Sequence, residues 1–315
     1  MNFIWKQMRL SGIRSKRKIK YIIREKMVIS GHLFSLGKKM KIYKVYMFSG
    51  TIKIKMMEKE MGKITQAKEK KSEMNEIIES LYRRKSVRVY EDRAIPEEMK
   101  NMILEAAMQA PTAGCQQLYT ILDITDQELK EALAESCDHQ PFIANAQMVL
   151  VFCADCKKWY DAYLEAGCEP RKPGVGDLML AVTDTAIAAQ NAVVAAESLG
   201  IGSCYIGDIM ENCKEQRRLL QLPEYVFPAV MLVFGWPTEQ QVRRQKPERC
   251  ERKHIVHENG YRSMDGDELR EMFAYKHKNH TYEEWCSAFC KRKYNSDFSK
   301  EMSRSAAEYL DQFEK

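Results

Sequence analysis

The stretch AAQNAVVAAESLGIGSCYIG, residues 188–207, decides the architecture. Its first half closes a nearly unbroken apolar run, Leu178–Leu199, long enough by itself to span a membrane. Thr183, Asp184, Gln190 and Asn191 interrupt that run, so it reads instead as a helix buried on nearly all sides of a large core. Gly200 stops the helix, and Ser203–Ile206 follows as a short strand that ends on Gly207-Asp208. A buried helix that runs straight into a strand requires layers of helices and sheet.

Working outward, the same grammar continues on both sides. Upstream, Asn75–Arg84 and Ile95–Gln109 carry helical spacing, with Pro96, Glu97 and Glu98 suited to a first turn. Ser86–Tyr90 is a short extended segment, and Ala110–Gln117 a loop of small residues. Leu118–Ile124 alternates as a strand, Asp126–Glu135 is helical, and Gln147–Phe152 is a buried strand. Downstream, Glu211–Gln221 is a helix and Ala229–Phe234 an interior strand ending at Gly235-Trp236-Pro237. Beyond Asp265 the text is helical, charged and poor in core residues, so it is expected to lie over something else.

The formal net charge of +6 averages two unlike regions. Residues 1–73 hold 20 Lys/Arg against 5 Asp/Glu, a net of +15; subtraction from the totals of 50 and 44 leaves 30 against 39, a net of −9, in residues 74–315. The acidic body argues against a nucleic-acid platform. Three readings compete for residues 1–73: a basic arm for nucleic acid or anionic lipid, a targeting presequence, or text translated from an upstream start with Met74 as the initiator. The favoured reading is a disordered extension or mis-assigned start, followed by a domain over 74–265 and a helical C-terminal extension over 266–315 that packs on the domain or on a partner subunit. All 10 cysteines lie in the body and form no disulfide framework, which favours a reducing cytoplasm. Cys153-Ala-Asp-Cys156 has no second C-x-x-C and reads as structural.

Arg84-Lys85-Ser86-Val87-Arg88 gathers three cations and a hydroxyl at a helix end, and Lys246-Pro247-Glu248-Arg249 adds two more cations far along the chain. Alone, each reads as a solvated basic patch; joined by the fold, they make a phosphate site with bidentate contacts available from arginine. Ala110–Gln117 offers close backbone approach to a planar ligand, with Thr112 and Gln117 as hydrogen-bonding groups, or is a plain surface turn. Cys204–Asp208 ends a strand, where sheets of layered proteins commonly place ligands. Neither Gly174–Gly176 nor Gly200–Gly202 completes a dinucleotide fingerprint, and no nucleophile triad or P-loop is present.

Taken in order, these pieces resemble the FMN-binding nitroreductase superfamily. The resemblance covers about Met74 to Asp265 and rests on Arg84–Tyr90, Ala110–Gln117, Ala188–Gly207, Gly235-Trp236-Pro237, Lys246-Pro247-x-Arg249 and Val256–Asn259. It is most similar to the NADPH-dependent nitroreductase/flavin reductase branch. It implies an α+β three-layer fold with a central mixed, mainly antiparallel sheet and helices on both faces. It also implies an intertwined homodimer with FMN at the interface.

Carried over residue by residue, the resemblance assigns Arg84, Lys85 and Ser86 to the FMN phosphate and ribityl chain, with Lys246 and Arg249 closing the phosphate site. Arg88 faces the pyrimidine edge of the flavin. Thr112, Ala113, Gly114 and Gln117 match the flavin-contact loop, and Gln140 a polar contact near the ribityl chain. Tyr205, Ile206, Gly207 and Asp208 match the segment whose backbone approaches the flavin N5/O4 edge. The implied activity is NAD(P)H-dependent reduction of nitroaromatics, quinones or free flavin by hydride transfer through flavin N5, with no acid–base triad of the protein's own. The alternatives are a dehalogenating or fragmenting flavoenzyme of the same superfamily and a non-catalytic flavin-binding redox sensor. Partners are a second copy and a small-molecule acceptor, with no metal, nucleic acid or membrane. Four positions depart from the pattern: Cys115 stands for the usual Asn, Asp208 for a second Gly, Met210 for an Arg, and His277–Trp285 lacks the arginines offered to a 2′-phosphate.

Overall fold

Every residue of Met148–Asp155 is buried, and nearly every residue of Val226–Gly235 is too. Strands buried on both faces have to be covered twice, and that requirement organises the rest of the domain. The computed structural model describes residues 75–314 and, upstream, the backbone of four short strands. Those strands pair Val28–Ile29 with His32–Leu33 and Tyr43–Phe48 with Thr51–Met56. The remainder of the 1–73 extension lies outside the described residues.

In the body, β1 (Tyr119–Ile124), β2 (Met148–Asp155), β3 (Gly202–Ile206) and β4 (Val226–Gly235) form one sheet in the order β1-β2-β4-β3. All three ladders are antiparallel. The expected mixed character therefore reduces to one isolated parallel bridge, Ser86 to Ser203. Pro228 lies inside β4 although it lacks an N–H; the ladder shifts register beside it, between Phe152 and Cys153. On one face Val149, Val151 and Met231 pack with Leu133 of α3 (Gln127–Ser136). On the other, Leu150, Phe152 and Leu232 meet Ile103 of α2 (Glu97–Met108) and Ala188, Ala192 and Val193 of α6 (Val175–Ser198). This is α+β and three-layered. The remaining helices are α1 (Glu76–Arg83), α4 (Pro141–Ala144), α5 (Lys157–Glu165), α7 (Cys213–Leu220), α8 (Glu239–Arg243), α9 (Gly266–Phe273), α10 (Tyr282–Lys293) and α11 (Asp297–Leu310).

Two expectations need correction. Helix α6 is buried on one face only: Leu178, Ala181, Thr185, Ala188 and Ala192 point inward, while Met179, Leu180, Thr183 and Ala186 are exposed. Its apolar composition exceeds what this chain alone covers. The C-terminal text also contributes to the core more than its charge suggests. Tyr309 and Phe313 are buried against Phe227, Cys213 and Leu118, and Cys213 N–H donates to Ser305 Oγ at 2.9 Å. Helices α9 and α10 bury no residue and hold each other through Arg270–Glu283 and a Phe273–Trp285 ring contact at 5.3 Å.

One charged residue sits inside the apolar helix. Asp184 is 3% exposed and its carboxylate accepts from the Thr112 hydroxyl, from Ala113 N–H at 2.9 Å and from Leu118 N–H at 3.2 Å. The Thr112 oxygen accepts in turn from Gln117 N–H at 2.7 Å. One side chain thus fixes both ends of the 112–118 loop. Asp184→Ala leaves two buried N–H groups without acceptors, at about 1–3 kcal/mol each. The urea midpoint is expected to fall with an unchanged m-value; a shift within error of wild type refutes the anchoring role. Close approach also constrains Gly202, where an added Cβ would lie 2.6 Å from Val87 Cγ2 in a buried position. Gly202→Ala is expected to cost about 1–3 kcal/mol by overpacking, read in the same titration.

Candidate active site

The segment Arg84–Arg88 reaches the sheet because Gly202 lets it. Val87 N–H donates to Ser203 O at 2.9 Å, and Tyr90 Oη donates back to Val87 O at 2.9 Å. Along this edge the two distant basic motifs meet. Lys246 Nζ donates to the last carbonyls of α1, Leu81 O at 2.9 Å and Tyr82 O at 3.0 Å. Cations are favoured at that end of a helix. Arg84 and Arg249 lie within electrostatic reach of Lys246, and lost hydration followed by these two charges holds its pKa below the usual lysine range, with Glu197 opposing. Arg84 Nη1 is buried and has no hydrogen-bond partner. Guanidinium groups are rarely left so.

Each expected site residue now has a place. Arg84, Lys246 and Arg249 come together as free or partly free cations; Arg249 Nη1 donates only to the local carbonyls Pro247 O (3.0 Å) and Glu248 O (3.3 Å). Lys85 does not join them: its ammonium is spent on Val242 O at 2.8 Å and Arg244 O. Arg244, which the sequence reading passed over, donates to Ser86 O and clamps the two segments from the other side. Ser86 Oγ lies beside the Cys204 thiol, and Arg88 sits 5.8 Å from the centre of the Phe142 ring. Gln140 precedes α4 and donates to Cys137 O at 2.7 Å.

Tyr205 is 38% exposed and its hydroxyl donates to Gln190 Oε1 of α6 at 3.1 Å. Burial pushes that hydroxyl up to about 12, against the pull of Arg84. Ile206 is buried, Gly207 exposed, and Asp208 opens a short 3-10 turn through Met210. Strand β3 therefore joins the cation cluster to the exposed face of α6. A groove of ≈ 460 Å³ on that face is lined by Val182, Thr183, Ala186, Ile187, Gln190 and Asn191.

The loop with Thr112, Ala113, Gly114 and Gln117 is built differently from expectation. The Thr112 hydroxyl and Ala113 N–H are committed to Asp184, and Gln117 Nε2 donates to Met108 O at 3.3 Å. Gly114 and Cys115 are both left-handed, with φ of 56° and 57°. Asn tolerates that conformation better than Cys. Among the described residues, no hydrogen bond or ion pair connects this loop to the cation cluster.

Cys153 lies in β2 and Cys156 directly after it. Both are buried, and burial pushes each thiol up to about 12, far from the thiolate that redox exchange needs. Lys278, in the C-terminal segment that lacks the expected arginines, is paired with Glu248 at 2.9 Å. Sequence reasoning missed Asp184 and Glu211. The first was visible as one of two acids, with Glu197, in the apolar run Leu178–Leu199; the second carried no signal until its burial was known.

The Nitroreductase family profile matches residues 81–236, which holds most of these elements. The FMN reductase [NAD(P)H] of Bacillus subtilis (strain 168) is 31% identical over 245 residues, 76% of this chain and 92% of that protein. The oxygen-insensitive NADPH nitroreductase of Salmonella typhimurium is 36% identical over 193 residues, 61% of this chain and 77% of that one. The solved structure of NfrA2 from B. megaterium superposes with a TM-score of 0.64 at 30% identity, over 74% of this chain and 98% of that one. The chain belongs to the nitroreductase family, on its NADPH-dependent nitroreductase/flavin reductase branch.

Proposed function

We infer that the protein is an FMN-dependent oxidoreductase that uses NAD(P)H to reduce nitroaromatics, quinones or free flavin. One observation carries the placement of the cofactor: Arg84 Nη1 is buried without a partner, among cations that depress Lys246. A dianionic phosphate resolves that arrangement, supplying acceptors to Arg84 and counter-charge to Lys246 and Arg249. Ser86 stands beside it for the ribityl chain. Arg88 supplies positive charge where the flavin gains electrons. The Tyr205–Asp208 segment would lie at the reactive edge of the ring, and Gln140 near the ribityl chain. Bound FMN would supply hydride transfer between a nicotinamide and the acceptor, chemistry the side chains themselves do not provide. The chain's own groups hold the phosphate, orient the ring and exclude water.

The printed names of the relatives, FMN reductase [NAD(P)H] and oxygen-insensitive NADPH nitroreductase, support this chemistry. The exposed apolar face of α6 supports a homodimer in which a second copy covers that face and completes the cradle with its own flavin-contact loop. The 10 cysteines, all free thiols, fit a reducing cytoplasm.

Purified protein is expected to be yellow, to bleach under anaerobic NADPH or NADH, and to recolour when a quinone is added. Bound flavin that neither nicotinamide reduces contradicts the inference. Arg84→Ala is expected to lose FMN on dialysis, since a charge-assisted hydrogen bond contributes about 1.5–3 kcal/mol. The same change relieves repulsion in the flavin-free protein, so its melting temperature stays level or rises. Full flavin content in the variant rejects the phosphate assignment.

A further inference from the structure

One carboxylate reaches the cation cluster at the end of α1. Glu197, in the last turn of α6, accepts through Oε1 from Arg83 Nε at 3.4 Å, and its side chain is only 20% exposed. Arg83 is the last residue of α1. The carbonyls of the two residues before it, Leu81 and Tyr82, hold Lys246 Nζ at 2.9 and 3.0 Å, and Arg84 follows it in the chain. Of the charges that act on Lys246, Arg249 and Arg84 oppose its positive charge and Glu197 supports it.

Helix energetics do not explain an acid at this position. The last turn of a helix carries partial negative charge, which disfavours Glu and favours a cation. No basic residue stands in the last turn of α6. Nor is the pair with Arg83 built for strength. It is a single contact at the long end of hydrogen-bond range, whereas Arg171–Asp177 and Arg262–Glu268 each make two contacts of 3.0 Å or less. The neighbouring acids are turned elsewhere: Glu248 pairs with Lys278 at 2.9 Å, and Glu239 with Arg243. Glu197 therefore stabilises neither its own helix nor a strong pair. It lies instead beside a set of cations, one of which has a buried nitrogen without a partner. Its effect falls on that set.

We propose that Glu197 is the resident counter-ion of the phosphate site and limits how tightly FMN is held there. In the flavin-free protein it offsets part of the repulsion among Arg84, Lys246 and Arg249. Once a phosphate is bound, the same carboxylate is a like charge beside it and weakens the complex. Arg83 is a positioning residue that acts through Glu197. It draws the carboxylate to the exposed end of α1 and leaves Arg84 Nη1 free for the ligand. The site is thereby tuned towards exchange with free flavin rather than permanent retention.

The proposal rests on reading the cluster as the FMN phosphate site, and the experiment separates the two. Flavin-free wild type, Glu197→Gln, Arg83→Met and the double variant are titrated calorimetrically with FMN and with riboflavin at low salt. Glu197→Gln is expected to bind FMN about two- to fivefold more tightly, the size of one screened ion pair, with riboflavin unchanged. Arg83→Met is expected to weaken FMN. Adding Glu197→Gln to it should then tighten FMN by a larger factor than in wild type, because the carboxylate is no longer held aside. Damage to the fold cannot imitate this pattern, since it weakens both ligands together. If wild type prefers FMN to riboflavin and Glu197→Gln does not widen that preference, the proposal alone is overturned. If wild type binds the two equally, the phosphate reading fails, and melting of the flavin-free proteins decides the counter-ion role. Glu197→Gln should melt below wild type in about 10 mM salt, with the gap closing by about 0.5 M as charges are screened. A gap that salt leaves unchanged overturns that role.

Discussion

Like charges held together oppose folding, and one edge of this protein gathers such a set with only Glu197 as a partial counter-charge. Arg84, Lys246 and Arg249 are brought within reach of one another from positions far apart in the chain. Neutral contacts hold them there: Lys246 on the carbonyls of α1, Lys85 on those of Val242 and Arg244, Arg244 on Ser86 O, and Val87 on β3. Cations satisfied by backbone carbonyls keep their charge, so the field at the site persists while the geometry is fixed. On the proposed reading, stability is spent on a place that an anion would complete, the trade expected where binding needs a preorganised site.

Asp184, on α6, plays the complementary part at the loop. It is a buried carboxylate that three donors satisfy, so it costs little and specifies one loop conformation. Consecutive left-handed residues at Gly114 and Cys115 persist because both ends of that loop are tied to the same side chain. The loop and the cation cluster do not touch within one chain, and the uncovered face of α6 lies open. The homodimer proposed above would account for both.

Much of the fold was legible in the sequence, because apolar period and glycine position respond to burial that the sequence itself encodes. Strands β1 to β4 and helices α1, α2, α3 and α7 fall within a few residues of where their patterns place them. The extension of β4 past Pro228 was not legible, since it depends on a register shift in the partner strand. Nor was the one-sided burial of α6, because composition cannot distinguish a surface covered by the same chain from one covered by another. At the site, Arg84, Lys246 and Arg249 were readable as motifs. The diversion of Lys85 and Thr112 to internal partners was not, because hydrogen-bond capacity is allotted by geometry. Glu211 illustrates the limit: an unremarkable Glu in sequence is pushed up by burial first, then by Asp208 of the preceding turn and by Asp138 and Glu301 from other parts of the fold.

The central claim is that the cation cluster is a phosphate site, and two ligands differing only in that phosphate test it most directly. Calorimetric titration of flavin-free protein with FMN and with riboflavin separates the phosphate from the ring. The account predicts that FMN binds at least about tenfold more tightly, the consequence of one charge-assisted contact of roughly 1.5 kcal/mol or more, and that the gap narrows as salt is raised. Equal affinities for the two ligands would contradict it.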